Sequence, residues 1–162
     1  MNHAQVKPII DNASRQDLAQ ILAIYNEVIR NSTAVYSEEE FTPARGETWL
    51  DTKLGHGFPL IVARDASGIT GFGTFGEFRA WPCYRNSVEH SVHVRLDRRG
   101  QGVGRALVVE LMARAAAMGK HVMIAGTQGL DGFFDFRLCS SYHVPMISRL
   151  RYQQSSLELL RG

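Results

Sequence analysis

At 162 residues, with 44% apolar and 21% charged side chains, the chain has the size and composition of one soluble domain, 1–162, with a real core. A net charge of +2 without a long basic run argues against nucleic acid as the main partner, and no apolar run approaches the ~20 residues needed to span a bilayer. Two cysteines, Cys83 and Cys139, and a start, Met1 to Gln5, without an apolar signal region read as a reduced, cytoplasmic protein.

Val6 to Ile10 is a short apolar run interrupted by Pro8, which fits a first strand near a sheet edge. Ser14-Arg15-Gln16-Asp17 has the form of a helix start. Leu18, Ile21, Leu22, Tyr25, Val28 and Ile29 recur behind it at helical spacing. Asn31 to Glu40 is polar and loop-like, and a second helix over Pro43 to Leu54 is stopped by Gly55-His56-Gly57. Leu60 to Ala63 and Ile69 to Phe75 form a hairpin around Ala66-Ser67-Gly68. Arg79 to Arg85 is a loop and Ser87 to Val94 a central strand. Val103 to Met118 is a long helix with Val103, Leu107, Leu111 and Met118 on one face. Gly119 suits its C-terminal cap, and His121 to Ala125 is the next strand. Beyond Gly126 the pattern fades. Residues 127–162 contain no Asn and no Lys, Ser and Arg are frequent, and no helix-to-strand ending is recognisable.

The most informative stretch is Arg98 to Leu107, with glycines at 100, 102 and 104 between a strand and a helix. Glycine allows positive φ and close approach of the backbone. The helix start directs unpaired N–H groups and a positive dipole end at an anion, and Arg98, Arg99 and Arg105 add charge. A phosphate loop of the Gly-x4-Gly-Lys-Ser/Thr kind is excluded, because Arg105 and Ala106 follow Gly104. A dinucleotide fingerprint would need glycine at 105. The alternative for the same residues is an ordinary glycine-rich turn capping a surface helix.

Arg99-Gly100-Gln101-Gly102-Val103-Gly104 fits Arg/Gln-x-x-Gly-x-Gly and resembles the coenzyme A pyrophosphate loop of the GNAT N-acyltransferase superfamily. Several further motifs occur in the right order. They are Ile24-Tyr25-Asn26, Asn31 to Tyr36, Phe75 to Arg79, Val88-Glu89-His90-Ser91-Val92-His93-Val94, and Gly119 to Gly126. This set looks like the phosphinothricin and methionine sulfoximine N-acetyltransferase branch, over about residues 7–126. The resemblance implies an α/β (α+β) fold with a mixed, largely antiparallel sheet, splayed central strands and flanking helices. It implies acetyl-CoA as co-substrate and a small amino-acid-like acceptor, and it allows a homodimer; no metal and no nucleic acid or membrane partner are expected. Coenzyme contacts fall on Val92, His93 and Val94 through the backbone and on Arg99, Gly100, Gln101, Gly102, Val103, Gly104 and Arg105. Asp131 stands where the branch has an Asn that contacts the coenzyme.

An amine nucleophile must lose its proton, and a carboxylate in a partly apolar site is suited to take it. Glu89, among Val88, Val92 and Val94, is the candidate and matches the resemblance; a solvated or salt-bridged glutamate is the alternative. His90 and His93 face opposite sides of a strand and make no metal pair. Arg79, Tyr84 and Arg85 form the expected acceptor loop, with guanidinium groups suited to a carboxylate or phosphinate; a solvated basic loop is the alternative. Trp81 and Phe78 are expected to pack in the core, with a place in the wall of the acceptor pocket as the alternative. Cys83 has no identifiable base beside it, so direct transfer is preferred over a covalent intermediate. The sequence thus points to an N-acetyltransferase acting on a small L-amino acid or analogue. A binding-only acyl-CoA protein and a protein N-terminal acetyltransferase are the rivals. The tail, 127–162, is expected to be poorly ordered or to pack in an atypical way, with weak or absent activity.

Overall fold

The computed structural model describes residues 8–32, 39–126, 137–138 and 145–149. Among these, seven strands form one sheet: β1 (Ile9–Asn12), β2 (Leu60–Asp65), β3 (Gly68–Glu77), β4 (Ser87–Val94), β5 (Val122–Gly126), β6 (Arg137–Leu138) and β7 (Pro145–Arg149). Their order is β1-β2-β3-β4-β5-β7-β6. Neighbours from β1 to β4 are antiparallel, β4 and β5 are parallel, and β7 is antiparallel to both β5 and β6. This is the mixed, largely antiparallel sheet that the sequence predicts.

Helices α1 (Leu18–Asn31) and α2 (Pro43–Gly55) cover one face, and α3 (Val103–Ala117) covers the other. Period-two alternation sorts the strand side chains between them. Val62, Leu60, Ile69 and Phe72 meet Ile21, Ile24 and Leu50, whereas Ile61, Ala63, Phe75 and Val88 meet Val103, Leu107, Leu111 and Ala115. α3 seats deeply because two positions of β3 beneath it, Gly71 and Gly73, have no side chain. A Cβ on Gly71 would lie 2.9 Å from the His93 carbonyl oxygen and 3.2 Å from Leu107, and one on Gly73 3.0 Å from Leu111.

Several boundaries differ from the sequence reading. Val6 and Lys7 lie outside the described residues, and β1 is observed over Ile9–Asn12. β3 runs on to Glu77, and α3 ends at Ala117, which leaves Met118 exposed and replaces it by Val108 and Ala115 on the buried face. Trp81 is exposed, not in the core, because the short 3-10 turn Pro82–Tyr84 carries it out at the hairpin end. The sequence predicts no strand ending to the tail, yet β7 pairs with β5 from Gly126↔Pro145 to Val122↔Arg149. A strand can be dictated by the free edge of its neighbour where its own alternation is weak. The remainder of 127–162, with the order and packing expected of it, lies outside the described residues.

The start of α1 is held by one carboxylate. Asp17 accepts from the Ser14 backbone N–H (2.7 Å) and hydroxyl (2.9 Å), and takes both Arg64 Nη1 (3.0 Å) and Nη2 (3.1 Å) from β2. Arg64 is thereby the main cause, with the Ser14 bonds adding, of an Asp17 pKa lowered from 3.8 to about 2; burial opposes the shift. A carboxyl that stays ionised more easily in the fold contributes stability above its ordinary value and loses it as pH falls towards the folded value. Asp17→Asn should therefore cost about 2 kcal/mol in denaturant unfolding at pH 7. The gap to the parent should close as pH falls from about 4 to about 2. An equal gap at both ends of that range would exclude this role.

Candidate active site

The central feature is where β4 and β5 part. Among the described residues their pairing runs only from Ser87↔Val122 to His90↔Ala125, whereas β4 stays paired with β3 as far as Val94↔Gly71. Ladder parity says which groups are left over. Arg95 N–H donates to the Thr70 carbonyl and Phe78 N–H to that of Ser87. Antiparallel pairs alternate between bonded and non-bonded, so Phe72 and His93 face each other in a bonded pair. The N–H and C=O groups of Val92 and Val94 point the other way, towards the parted side. Of the three residues whose backbone was expected to meet the coenzyme, Val92 and Val94 face the parted side, and the main chain of His93 faces β3. The Val94 carbonyl is itself engaged, accepting from Arg99 Nε at 3.1 Å.

The glycine loop lies at the end of this edge. Gly100 (φ +74°) and Gly102 (φ +81°) both adopt the left-handed conformation, and a Cβ on either would meet nothing within 4 Å among the described residues. The space in front of them is thus open. The first bond of α3 runs from Ala106 N–H to the Gly102 carbonyl, so the N–H groups of Val103, Gly104 and Arg105 have no acceptor within the helix. Val103 is buried and anchors the helix start in the core. A Cβ on Gly104 would stand 3.5 Å from Val94 Cγ2, so loop and strand end are in contact.

The arginines are arranged otherwise than as a simple cluster. Arg98 donates to Asp65 (3.0 Å) and Asp97 (2.9 Å), with Arg95 also on Asp97 and Ser67. This network ties the β2–β3 turn to the loop before α3. Arg99 pairs with Glu27 of α1 at 3.0 Å, and Gln101 donates to the Asp97 carbonyl at 3.0 Å. Arg105 is exposed. Asp131 lies outside the described residues.

Alternation puts Glu89, Ser91 and His93 on the face shared with α1 and α2, and His90 on the α3 face. Glu89 is exposed, not enclosed by the valines beside it, because Val88 and Val92 turn into the opposite cluster. His93 sits in a ring cluster, 5.2 Å from Tyr25 and 5.1 Å from Phe72. Burial, with the Arg99 charge adding, lowers its pKa to about 4, and burial does the same for His90. The opposite orientation of the two imidazoles agrees with the sequence reading, and among the described residues no group of His, Cys, Asp or Glu is arranged to hold a metal.

Arg79 lies over the Phe78 ring (4.7 Å), Tyr84 packs edge-on against the same ring (5.5 Å), and Arg85 Nη1 donates to the Pro82 carbonyl (3.3 Å). All three are exposed at the β3–β4 hairpin end. Two residues, Asn26 and Lys53, were given no individual role by the sequence. Asn26 clasps the chain before α2, donating to the Phe41 carbonyl (3.0 Å) and accepting from its N–H (2.8 Å). Lys53 reaches over Gly76, where a Cβ would lie 3.0 Å from Nζ. Its signal was legible: Gly46, Leu50 and Lys53 follow i, i+4, i+7, which puts a lysine on the stripe of α2 that faces the sheet.

Comparison with known proteins adds the identity of this arrangement. The model of the acetyltransferase (GNAT) family matches residues 21–131. The chain is 42% identical over 120 residues to L-methionine sulfoximine/L-methionine sulfone acetyltransferase of Pseudomonas aeruginosa, spanning 74% of this chain and 70% of that protein. It is 34% identical over 148 residues to phosphinothricin N-acetyltransferase of Streptomyces coelicolor, spanning 85% and 84%. Among solved structures, a GNAT superfamily phosphinothricin acetyltransferase from Sinorhizobium meliloti in complex with AcCoA superimposes with a TM-score of 0.83 at 28% identity, over 91% of each chain. The parted central strands, the glycine loop at the start of α3 and these matches agree, and the chain belongs to the GNAT acetyltransferase family.

Proposed function

We propose that the protein moves an acetyl group from acetyl-CoA directly to the amino group of a small L-amino acid or analogue of the methionine sulfoximine, methionine sulfone or phosphinothricin kind, in the cytoplasm. One observation supports the reading: among the described residues, the edge of β4 that β5 leaves unpaired runs between an open glycine loop and a carboxylate on the neighbouring face. The acceptor class follows from the substrates named for its relatives.

Bound acetyl-CoA supplies a thioester, whose carbonyl carbon is the electrophile. The open cradle at Gly100 and Gly102 and the free N–H groups of Val103, Gly104 and Arg105 suit its pyrophosphate. Val92 and Val94 offer N–H groups to the rest of the coenzyme along the parted edge, and a donor aimed at the thioester oxygen favours the charge that develops there. Glu89 takes the proton of the acceptor ammonium, directly or through one water. Arg79, Tyr84 and Arg85 rim the approach with positive charge and a phenol. No covalent step is required, and Cys83 is exposed on the 3-10 turn at the hairpin end.

A side chain on Gly102 would fill the cradle and oppose its positive φ. Gly102→Val should lower acetyl-CoA affinity at least tenfold by titration calorimetry while the protein stays folded; unchanged affinity in a folded variant would remove the loop from the coenzyme site.

Glu89→Gln keeps the shape of the side chain and deletes its basicity. Coenzyme affinity should stay at the parental value and kcat should fall by ~10²–10⁴, the usual span of general-base catalysis. Parental turnover in this variant would move the base elsewhere.

A further inference from the structure

The setting of Lys53 is unusual for a helix lysine. Along α2, Gly46 lies against Leu22, Leu50 is fully buried, and Lys53 continues the same stripe onto the sheet. Its ammonium stands over Gly76, where the missing side chain leaves room for it. Gly76 is the cross-strand partner of Glu89, and such partners share a face with Cβ positions about 4.5–5.5 Å apart. The ammonium of Lys53 and the carboxylate of Glu89 therefore occupy neighbouring positions on the acceptor side of the sheet. Among the described residues neither makes a hydrogen bond or an ion pair within 4 Å, with each other or with any other group. Next to Lys53 opens a recess of about 190 Å³, bordered also by Thr52, His56, Phe58 and Glu77.

Burial lowers the pKa of Lys53, and the charge of Glu89 opposes that shift. Among the described residues the site thus holds a half-buried cation without a bonded anion, beside an exposed anion without a bonded cation. An α-amino acid carries the complementary pair on one carbon, its nitrogen and carboxyl carbon about 2.5 Å apart. The loop arginines are less suited to the inner position, since Arg79 is stacked on Phe78 and Arg85 is turned to Pro82.

We propose that Lys53 receives the α-carboxylate of the acceptor while Glu89 faces its amino group, so that the two side chains together select free α-amino acids over amines, amides and peptide N-termini. The proposal rests on the acetyl transfer proposed above and adds the group that recognises the acceptor's carboxylate. It also separates this protein from an enzyme acting on protein N-termini, whose α-carbonyl is an uncharged amide.

The test compares methionine sulfoximine with its carboxamide in a thiol-release assay, using the parent, Lys53→Gln and Lys53→Arg. Calorimetric binding of methionine sulfone to the protein loaded with coenzyme A is measured in parallel, with coenzyme A affinity as the control for folding. The parent should prefer the acid. Lys53→Gln should lower the acid-to-amide ratio of kcat/KM at least tenfold, mainly through KM for the acid, and weaken methionine sulfone binding by a similar factor. Lys53→Arg should restore most of both. An unchanged ratio and unchanged binding in folded Lys53→Gln would overturn the role of Lys53 and leave acetyl transfer standing. A parent that neither acetylates nor binds any free amino acid would overturn both.

Discussion

A strand that loses its neighbour halfway along is the constraint on which this molecule depends. From Ser91 to Val94, β4 is bonded to β3 and, among the described residues, not to β5. Backbone N–H and C=O groups in a sheet interior normally find partners, and those of Val92 and Val94 are directed into the parting. The helix that links the two strands starts beside the end of β4, with Gly104 against Val94. Its free N–H groups therefore continue the line of donors begun by the strand edge. A ligand with amide groups at one end and phosphates at the other matches that line, which is the shape of the co-substrate proposed. The side of α1 and α2 has a different character, with opposite charges above the sheet and rings around His93.

Much of this was legible in the sequence, for identifiable reasons. Ser87 to Val94 and Val103 onwards declared themselves by alternation and helical period, and the glycines between them by their spacing. Gly100 and Gly102 adopt the positive φ that glycine was needed for. The orientation of His90 and His93 to opposite faces followed from strand geometry alone. Other features depended on facts that no local pattern carries. The exposure of Glu89 is decided by which cluster Val88 and Val92 join. The removal of His93 from the edge is decided by hydrogen-bond parity with β3, which is set by register. β7 could not be read from its own residues because its pairing with β5 defines it. Lys53 was legible in principle, as a charge on a buried helix stripe, but its meaning required the gap at Gly76 across the fold.

The arginines show how counting charges misleads. Arg95 and Arg98 are taken up by Asp65, Asp97 and Ser67, and Arg99 by Glu27 and the Val94 carbonyl. They brace the loop from outside. The cradle itself is lined with amide dipoles fixed by α3 and by the two left-handed glycines. Fixed dipoles need little reorganisation when charge arrives, whereas long exposed side chains must first be immobilised.

Gly71 and Gly73 have a consequence that reaches beyond packing. α3 rests in the groove they leave, with Leu107 and Leu111 closest to it. The cradle is the first turn of that same helix. The two glycines act as a depth gauge: they set how far α3 sinks into the sheet, and so the height of its first turn above the end of β4. A protein engineer seeking stability would ordinarily try alanine at such strand glycines. Here the gain in chain stiffness would be offset by contacts of 2.9–3.2 Å at these two positions, and the displacement that relieved them would be passed to the cradle. Thermal robustness and ligand alignment share one pair of missing methyl groups, so neither can be tuned at β3 without the other.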